Sequence, residues 1–221
     1  MIIAIDGPAA SGKSVTAKTV AKNLEYIHIN TGSMYRAVTL HFLEKKINLD
    51  DRANFKKELK KIKINFNIQN RIFINDIDVS SKLRDDFINN NVSKVSAVKL
   101  VRDKLVSLQR SIAKNNNVVM EGRDIGTTVL PNADYKFFLT ADIEVRAKRR
   151  LIESQKSEND LQSMIGQIEK RDNLDKKRKH SPLAVADDAI VIDTTTMTIF
   201  DQVDKIVNII KKKDKYTNER K

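Results

Sequence analysis

The chain has 221 residues, a length that accommodates one well-buried core with room for a small inserted or lid subdomain, but not two large domains. It has no cysteine, which excludes disulfides and thiolate metal sites and suits a reducing cytosol; no basic, apolar leader precedes the first strand and no segment approaches a membrane span, so a cytoplasmic, non-membrane protein is expected. A net charge of +12 would suit nucleic acid, but many lysines fall on helix faces (Lys56-Lys57, Lys60-Lys61) or in the tail Lys211-Lys212-Lys213, aromatic residues are only 5%, and no tryptophan is available to stack on bases.

Ile2-Ile3-Ala4-Ile5 is the apolar run of a buried strand, and it delivers the chain to Gly7-Pro8-Ala9-Ala10-Ser11-Gly12-Lys13-Ser14, a complete GxxxxGK[ST] phosphate-binding loop. Val15, Val20 and Leu24 then recur at roughly helical spacing, so a helix N-terminus points its N–H groups at the loop. Gly7 and Gly12 let the backbone approach an anion, Lys13 can reach the β- and γ-phosphates, and the Ser14 hydroxyl is placed to ligate Mg²⁺. The run Gly7 to Val15 is therefore the expected ATP site, with Pro8, Ala9, Ala10 and Ser11 contributing backbone. Val15 stands where many phosphate-loop kinases carry a second hydroxyl, which leaves Ser14 as the loop's metal-binding hydroxyl.

Tyr26-Ile27-His28-Ile29 reads as a second strand, and Thr31-Gly32-Ser33-Met34-Tyr35-Arg36 opens a helix to about Lys46, capped by Thr31 or Ser33. From Lys63 to Val79 the pattern turns to alternation, with Ile64, Phe66 and Ile68, then Ile72 and Ile74, then Ile77 and Val79, so a small inserted antiparallel meander is expected. Ala97 to Lys114 is a long amphipathic helix. Asn117 to Glu121, Tyr135 to Leu139 and Ala189 to Asp193 are further core strands, and charge-dense helices fill Glu144 to Arg178. A closing helix runs from about Thr198 to Lys212, followed by a frayed basic tail, 213–221. His28, His41 and His180 are isolated and read as structural or solvent-facing, and no Ser/His/acid arrangement is visible.

Taken in order, the phosphate loop, the Thr31-to-Arg36 segment, Gly122-Arg123-Asp124-Ile125-Gly126-Thr127-Thr128-Val129 and Arg171-Asp172-Asn173-Leu174-Asp175-Lys176-Lys177-Arg178 resemble the bacterial cytidylate kinases over nearly the whole chain. The 122–129 run is the most specific, because a generic phosphate-loop protein has no reason to carry it. The resemblance implies an α/β nucleoside monophosphate kinase fold: a five-stranded parallel sheet flanked by helices, with a small inserted antiparallel β-subdomain and a helical lid. Its segments are a core at about 1–30, 97–145 and 183–212, a monophosphate-binding insert at about 31–96 and a lid at about 146–182. It also implies transfer of the ATP γ-phosphoryl group to CMP or dCMP, with Mg²⁺ as cofactor, by a monomer.

Within that resemblance, Lys13, Arg123 and Arg178 are the expected catalytic cations. Thr31, Arg36, Arg123 and Arg178 contact the acceptor phosphate with Tyr35 beside it. Ser93, Arg102 and Asp124 read cytosine, Arg171 and Asp175 hold the ribose, and Arg146 and Arg150 of the lid join the ATP site. Leu174 stands where relatives often have a basic residue. The residues favour this chemistry independently: the acceptor oxygen of a nucleoside monophosphate is already ionised, so the reaction asks less for a base than for cations that bring two anionic phosphates into line. The rival expectations are a kinase of UMP, dTMP, AMP or shikimate, and an ATP-regulated nucleic-acid-binding protein.

Overall fold

The computed structural model describes residues 1–48, 51–67, 69–155 and 157–218. The chain divides into two compact units, Met1–His28 with Asn115–Lys221, and Ile29–Lys114.

The first unit is organised on a five-stranded sheet. Its strands are β1 (Ile2–Asp6), β2 (Ile27–Asn30), β6 (Val118–Gly122), β7 (Tyr135–Thr140) and β8 (Ile190–Asp193), in the order β2-β6-β1-β7-β8. β1 pairs in parallel with both β6 and β7, and β7 with β8, so the carboxyl ends of these strands share one edge. Ligands of open α/β sheets bind beyond that edge. Ile3, Ala4 and Ile5 of β1 and Val118, Val119 and Met120 of β6 are wholly buried, as continuous apolar runs of a two-faced sheet must be. Helix α1 (Lys13–Leu24) and the closing helix α8 (Ile199–Asn218) cover one face, where Ala17, Val20, Val203, Ile206 and Ile210 join Ile3, Ile5, Phe137 and Ile192 in one core. The helix α8 continues to Asn218 rather than ending near Lys212, since Lys211 to Asn218 holds no glycine or proline to stop it; of the expected frayed tail, 219–221 lie outside the described residues. Helices α6 (Ile143–Ser154) and α7 (Leu161–Lys176) pack on each other through Ala147, Leu151, Met164 and Ile168, with Ala9 of the phosphate loop in the same cluster.

The second unit carries α2 (Thr31–Glu44), α3 (Arg52–Lys61), a three-stranded antiparallel sheet of β3 (Ile64–Phe66), β4 (Ile72–Ile74) and β5 (Ile77–Asp78), and the helices α4 (Asp86–Ala97) and α5 (Lys99–Lys114). The alternation read between Lys63 and Val79 is this sheet; Ile68 lies outside the described residues. The cap of α2 differs from expectation: Asn30, not Thr31 or Ser33, accepts from the Ser33 N–H at 2.9 Å, because the helix begins one residue earlier than a Thr31 cap allows. Val98 breaks the long amphipathic stretch, so α5 starts at Lys99.

Candidate active site

In the first unit the chain leaves β1 at Asp6 and turns at once. A Cβ at Gly7 would lie 2.2 Å from the Leu139 carbonyl oxygen, so only glycine fits this close approach. Gly12, at φ 87°, lies in the left-handed region and precedes α1. Behind it, buried Gln202 of α8 accepts from Thr16 Oγ1 at 2.7 Å and backs the loop. The whole run Gly7 to Gly12 thus wraps the start of α1, and Val15, 55% exposed, faces away from the core. Lys13 folds back over the loop: its Nζ donates to the Pro8 carbonyl at 2.8 Å. Burial, and then the charges of Arg123 and Arg171, bring the Lys13 ammonium well below the ordinary lysine value.

Ser14 Oγ donates to Glu121 Oε2 at 2.6 Å, and Glu121 Oε1 meets His28 Nε2 at 3.3 Å. Burial alone would raise the Glu121 carboxyl, but the hydrogen bond from His28 and the charge of Lys13 outweigh it and hold the group below its usual value. The sequence showed no Ser/His/acid arrangement and His28 as isolated. The fold sets buried His28, one of the structural histidines that was expected, beside Glu121 without forming such a triad, since Ser14 bonds the carboxylate and not the imidazole. Glu121 was legible only as a carboxylate ending an apolar strand.

Asp6, also unassigned from sequence, accepts from the Ile125 N–H at 2.9 Å and the Gly126 N–H at 2.8 Å. It thereby pins the π-helical turn Ile125–Val129 that follows Gly122-Arg123-Asp124. Burial pushes the Asp6 carboxyl up to about 6 against the two backbone bonds, which lower it. Asp124 itself is 4% exposed, and its carbonyl oxygen accepts from Thr128 and Val129.

Three arginines collect near one carboxylate. Arg123 Nε donates to Asp175 Oδ2 at 2.9 Å, and Arg178 Nη1 lies 3.9 Å from Asp175 Oδ1. Burial would raise Asp175, but Arg123, then Arg178 and Arg171, hold it below the usual carboxylate range. Arg171 is half-buried, its Nε takes no hydrogen-bond partner among the described residues, and desolvation followed by the charge of Arg123 lowers it to about 10. On α6, Arg146 is committed to protein groups, donating to the carbonyls of Ala9 at 3.0 Å and Ala141 at 3.1 Å and pairing with Asp172. Arg150 pairs with the more exposed Glu153 at 2.8 Å.

In the second unit, Arg36 reaches Asn89 Oδ1 at 3.4 Å and the Gly32 carbonyl at 3.3 Å. The Arg102 guanidinium carbon lies 5.4 Å from the Tyr35 ring centroid, and its Nη1 donates to the Ser96 carbonyl at 3.4 Å. Ser96 Oγ in turn donates to the Ser93 backbone carbonyl one turn earlier in α4, and Thr31 is buried at the start of α2.

A metal would find a hydroxyl and a carboxylate here, Ser14 and Glu121, which are the hard oxygen donors that Mg²⁺ takes. No group of three or more His, Cys, Asp or Glu gathers among the described residues.

The sequence profile of the cytidylate kinase family matches residues 3–212. Curated relatives named cytidylate kinase include one from Fusobacterium nucleatum, 49% identical over 96% of this chain and 96% of the relative, and one from Acholeplasma laidlawii, 44% identical over 98% of each. Among solved structures, an uncharacterized protein from Eubacterium ventriosum superposes with a TM-score of 0.50 at 14% identity, covering 96% of this chain and 98% of that one, a likeness of fold alone.

Proposed function

The chain belongs to the cytidylate kinase family, and from that premise we infer that it transfers the γ-phosphoryl group of ATP to CMP or dCMP, releasing ADP and the pyrimidine diphosphate. What supports the reading at the level of residues is the gathering of cations, Arg123 and Arg178 sharing the single carboxylate Asp175 while Lys13 folds over the phosphate loop, so that protein carboxylates meet only part of their charge. Phosphates complete that balance.

The loop backbone from Gly7 to Ser14 and the N-terminus of α1 cradle the ATP phosphates, and Lys13 leaves the Pro8 carbonyl for the β- and γ-oxygens. Ser14, its hydroxyl proton taken by Glu121, would hold the divalent ion, for which we propose Mg²⁺. When bound, it draws charge from the phosphate oxygens of the leaving ADP. Arg123 and Arg178, oriented by Asp175, hold the acceptor phosphate, and Arg171 neutralises charge beside it. With the acceptor oxygen ionised, these cations lower the electrostatic barrier to in-line attack and no protein base is required. Arg146 positions the loop through Ala9, whereas Arg150 is the lid arginine whose surface partner can yield to ATP. On the acceptor side, Thr31, Tyr35 and Arg36 serve the phosphate, Ser93, Arg102 and Asp124 the cytosine, and Asp175 the ribose. We propose that the protein acts as a monomer.

A coupled assay of ADP release with CMP, dCMP, UMP, AMP and dTMP as acceptors tests the reading. CMP and dCMP are expected to give the highest kcat/KM; preference for AMP, UMP or dTMP would replace it with the corresponding kinase.

A further inference from the structure

His28 takes no part in the chemistry described above, yet it is buried, 8% exposed, in the strand beside the one that carries Glu121. Glu121 Oε2 receives the Ser14 hydroxyl proton at 2.6 Å, and Oε1 faces His28 Nε2 at 3.3 Å. A carboxylate accepts and does not donate, so Nε2 is the protonated ring nitrogen. The geometry points to His28 as a positioning residue for the metal-bearing hydroxyl: by fixing Oε1 it sets the rotation of the Glu121 carboxylate, so that Oε2 takes the Ser14 proton and the serine lone pairs face the metal position. The inference rests on the reading of Ser14 as a metal ligand. Without the ring, Glu121 can rotate about its last bond, Ser14 can turn its proton toward a phosphate oxygen or water, and the hydroxyl loses its fixed acceptor direction. Outer-shell partners of this kind are commonly worth roughly 10–100-fold in metal affinity.

The test compares ADP affinity by calorimetry in the presence of Mn²⁺ and in EDTA, for the intact protein and for His28→Leu, His28→Gln and Ser14→Ala. The metal-dependent ratio of the two affinities is the readout, and it requires no turnover. His28→Leu is expected to reduce the ratio roughly 10–100-fold while metal-free ADP binding stays constant. His28→Gln, whose amide N–H can replace the ring N–H, is expected to keep most of the ratio. An unchanged ratio in His28→Leu, a parallel loss of metal-free ADP binding, or a glutamine variant no better than leucine would each overturn the role. Ser14→Ala separates the two levels: if it keeps the full ratio, the metal reading of Ser14 falls and the role of His28 with it, whereas loss in Ser14→Ala without loss in His28→Leu removes the His28 role alone. Histidine-selective ¹⁵N spectra of the intact protein give an independent check, with His28 expected as the Nε2–H tautomer; the Nδ1–H tautomer contradicts the donor role.

Discussion

Asp172 and Arg146 grip one residue of the phosphate loop by both of its backbone polar groups: Asp172 Oδ1 accepts from the Ala9 N–H at 3.0 Å, Arg146 Nη1 donates to the Ala9 carbonyl at 3.0 Å, and the two side chains pair at 2.5 Å. The pair therefore ties α6 and α7 to the loop they border. Its side chains are only 10% and 8% exposed, so neither charge can be left alone cheaply. Asp172→Ala, which strands the guanidinium, is expected to lower the unfolding free energy by about 3–5 kcal/mol and to raise the ATP KM. Urea unfolding with an unchanged m-value measures the first effect; a midpoint equal to that of the parent protein contradicts the clasp.

Lys13 has the opposite relation to stability. Its ammonium is buried among Arg123 and Arg171, so without nucleotide it is a charge the fold disfavours. Lys13→Met is expected to abolish measurable turnover, a loss of at least about 10²–10³-fold, while leaving the nucleotide-free melting temperature equal or higher. Near-normal turnover in the folded variant removes the phosphate-loop assignment.

Arg123 and Arg178 are oriented by a shared carboxylate, Asp175. Removing either arginine is expected to raise the CMP KM and lower kcat, with ATP affinity nearly constant. Should ATP affinity fall instead, the arginines belong to the donor and the acceptor assignments must be exchanged.

Asp6 gives the stability profile an unusual sign. Its carboxyl titrates at about 6 in the folded chain against 3.8 in the unfolded one, so between those values the folded state binds the extra proton and stability falls as pH rises. Two units correspond to about 3 kcal/mol. Denaturant midpoints from pH 4 to 6 are expected to fall more steeply in the parent protein than in Asp6→Asn; parallel profiles would show that Asp6 titrates normally.

Base choice is the role we propose for Asp124. A carboxylate facing the cytosine amino group would face a carbonyl oxygen in UMP, a second acceptor, at a cost of about 1–3 kcal/mol. Asp124→Asn, which can donate, is expected to narrow the CMP to UMP ratio of kcat/KM by roughly one to two powers of ten, chiefly by weakening CMP. An unchanged ratio passes base reading to Ser93 and Arg102.

Local signals carried most of the fold into view from sequence. The apolar runs ending in Asp6 and Glu121 and the alternation around Ile72 and Ile74 are set by neighbours within a few residues, and their elements appear where they were expected. The phosphate loop is legible because backbone geometry confines it to one short, glycine-marked pattern. What was not legible depends on the parallel order β2-β6-β1, which brings His28, Glu121 and Ser14 together from segments with no shared pattern. The Asp172–Arg146 clasp was hidden for the same reason: Arg146 had the look of an exposed lid cation, and only the packing of α6 on α7 buries it. Asn30 was missed as a cap because Thr31 and Ser33, both good caps themselves, follow it directly.

The central claim, that phosphoryl transfer runs from ATP to CMP, is tested most directly by ³¹P NMR of the protein with CMP, ATP and Mg²⁺. The account predicts CDP and ADP appearing in equal amounts with no orthophosphate; ADP and orthophosphate accumulating while CMP stays unchanged would contradict it.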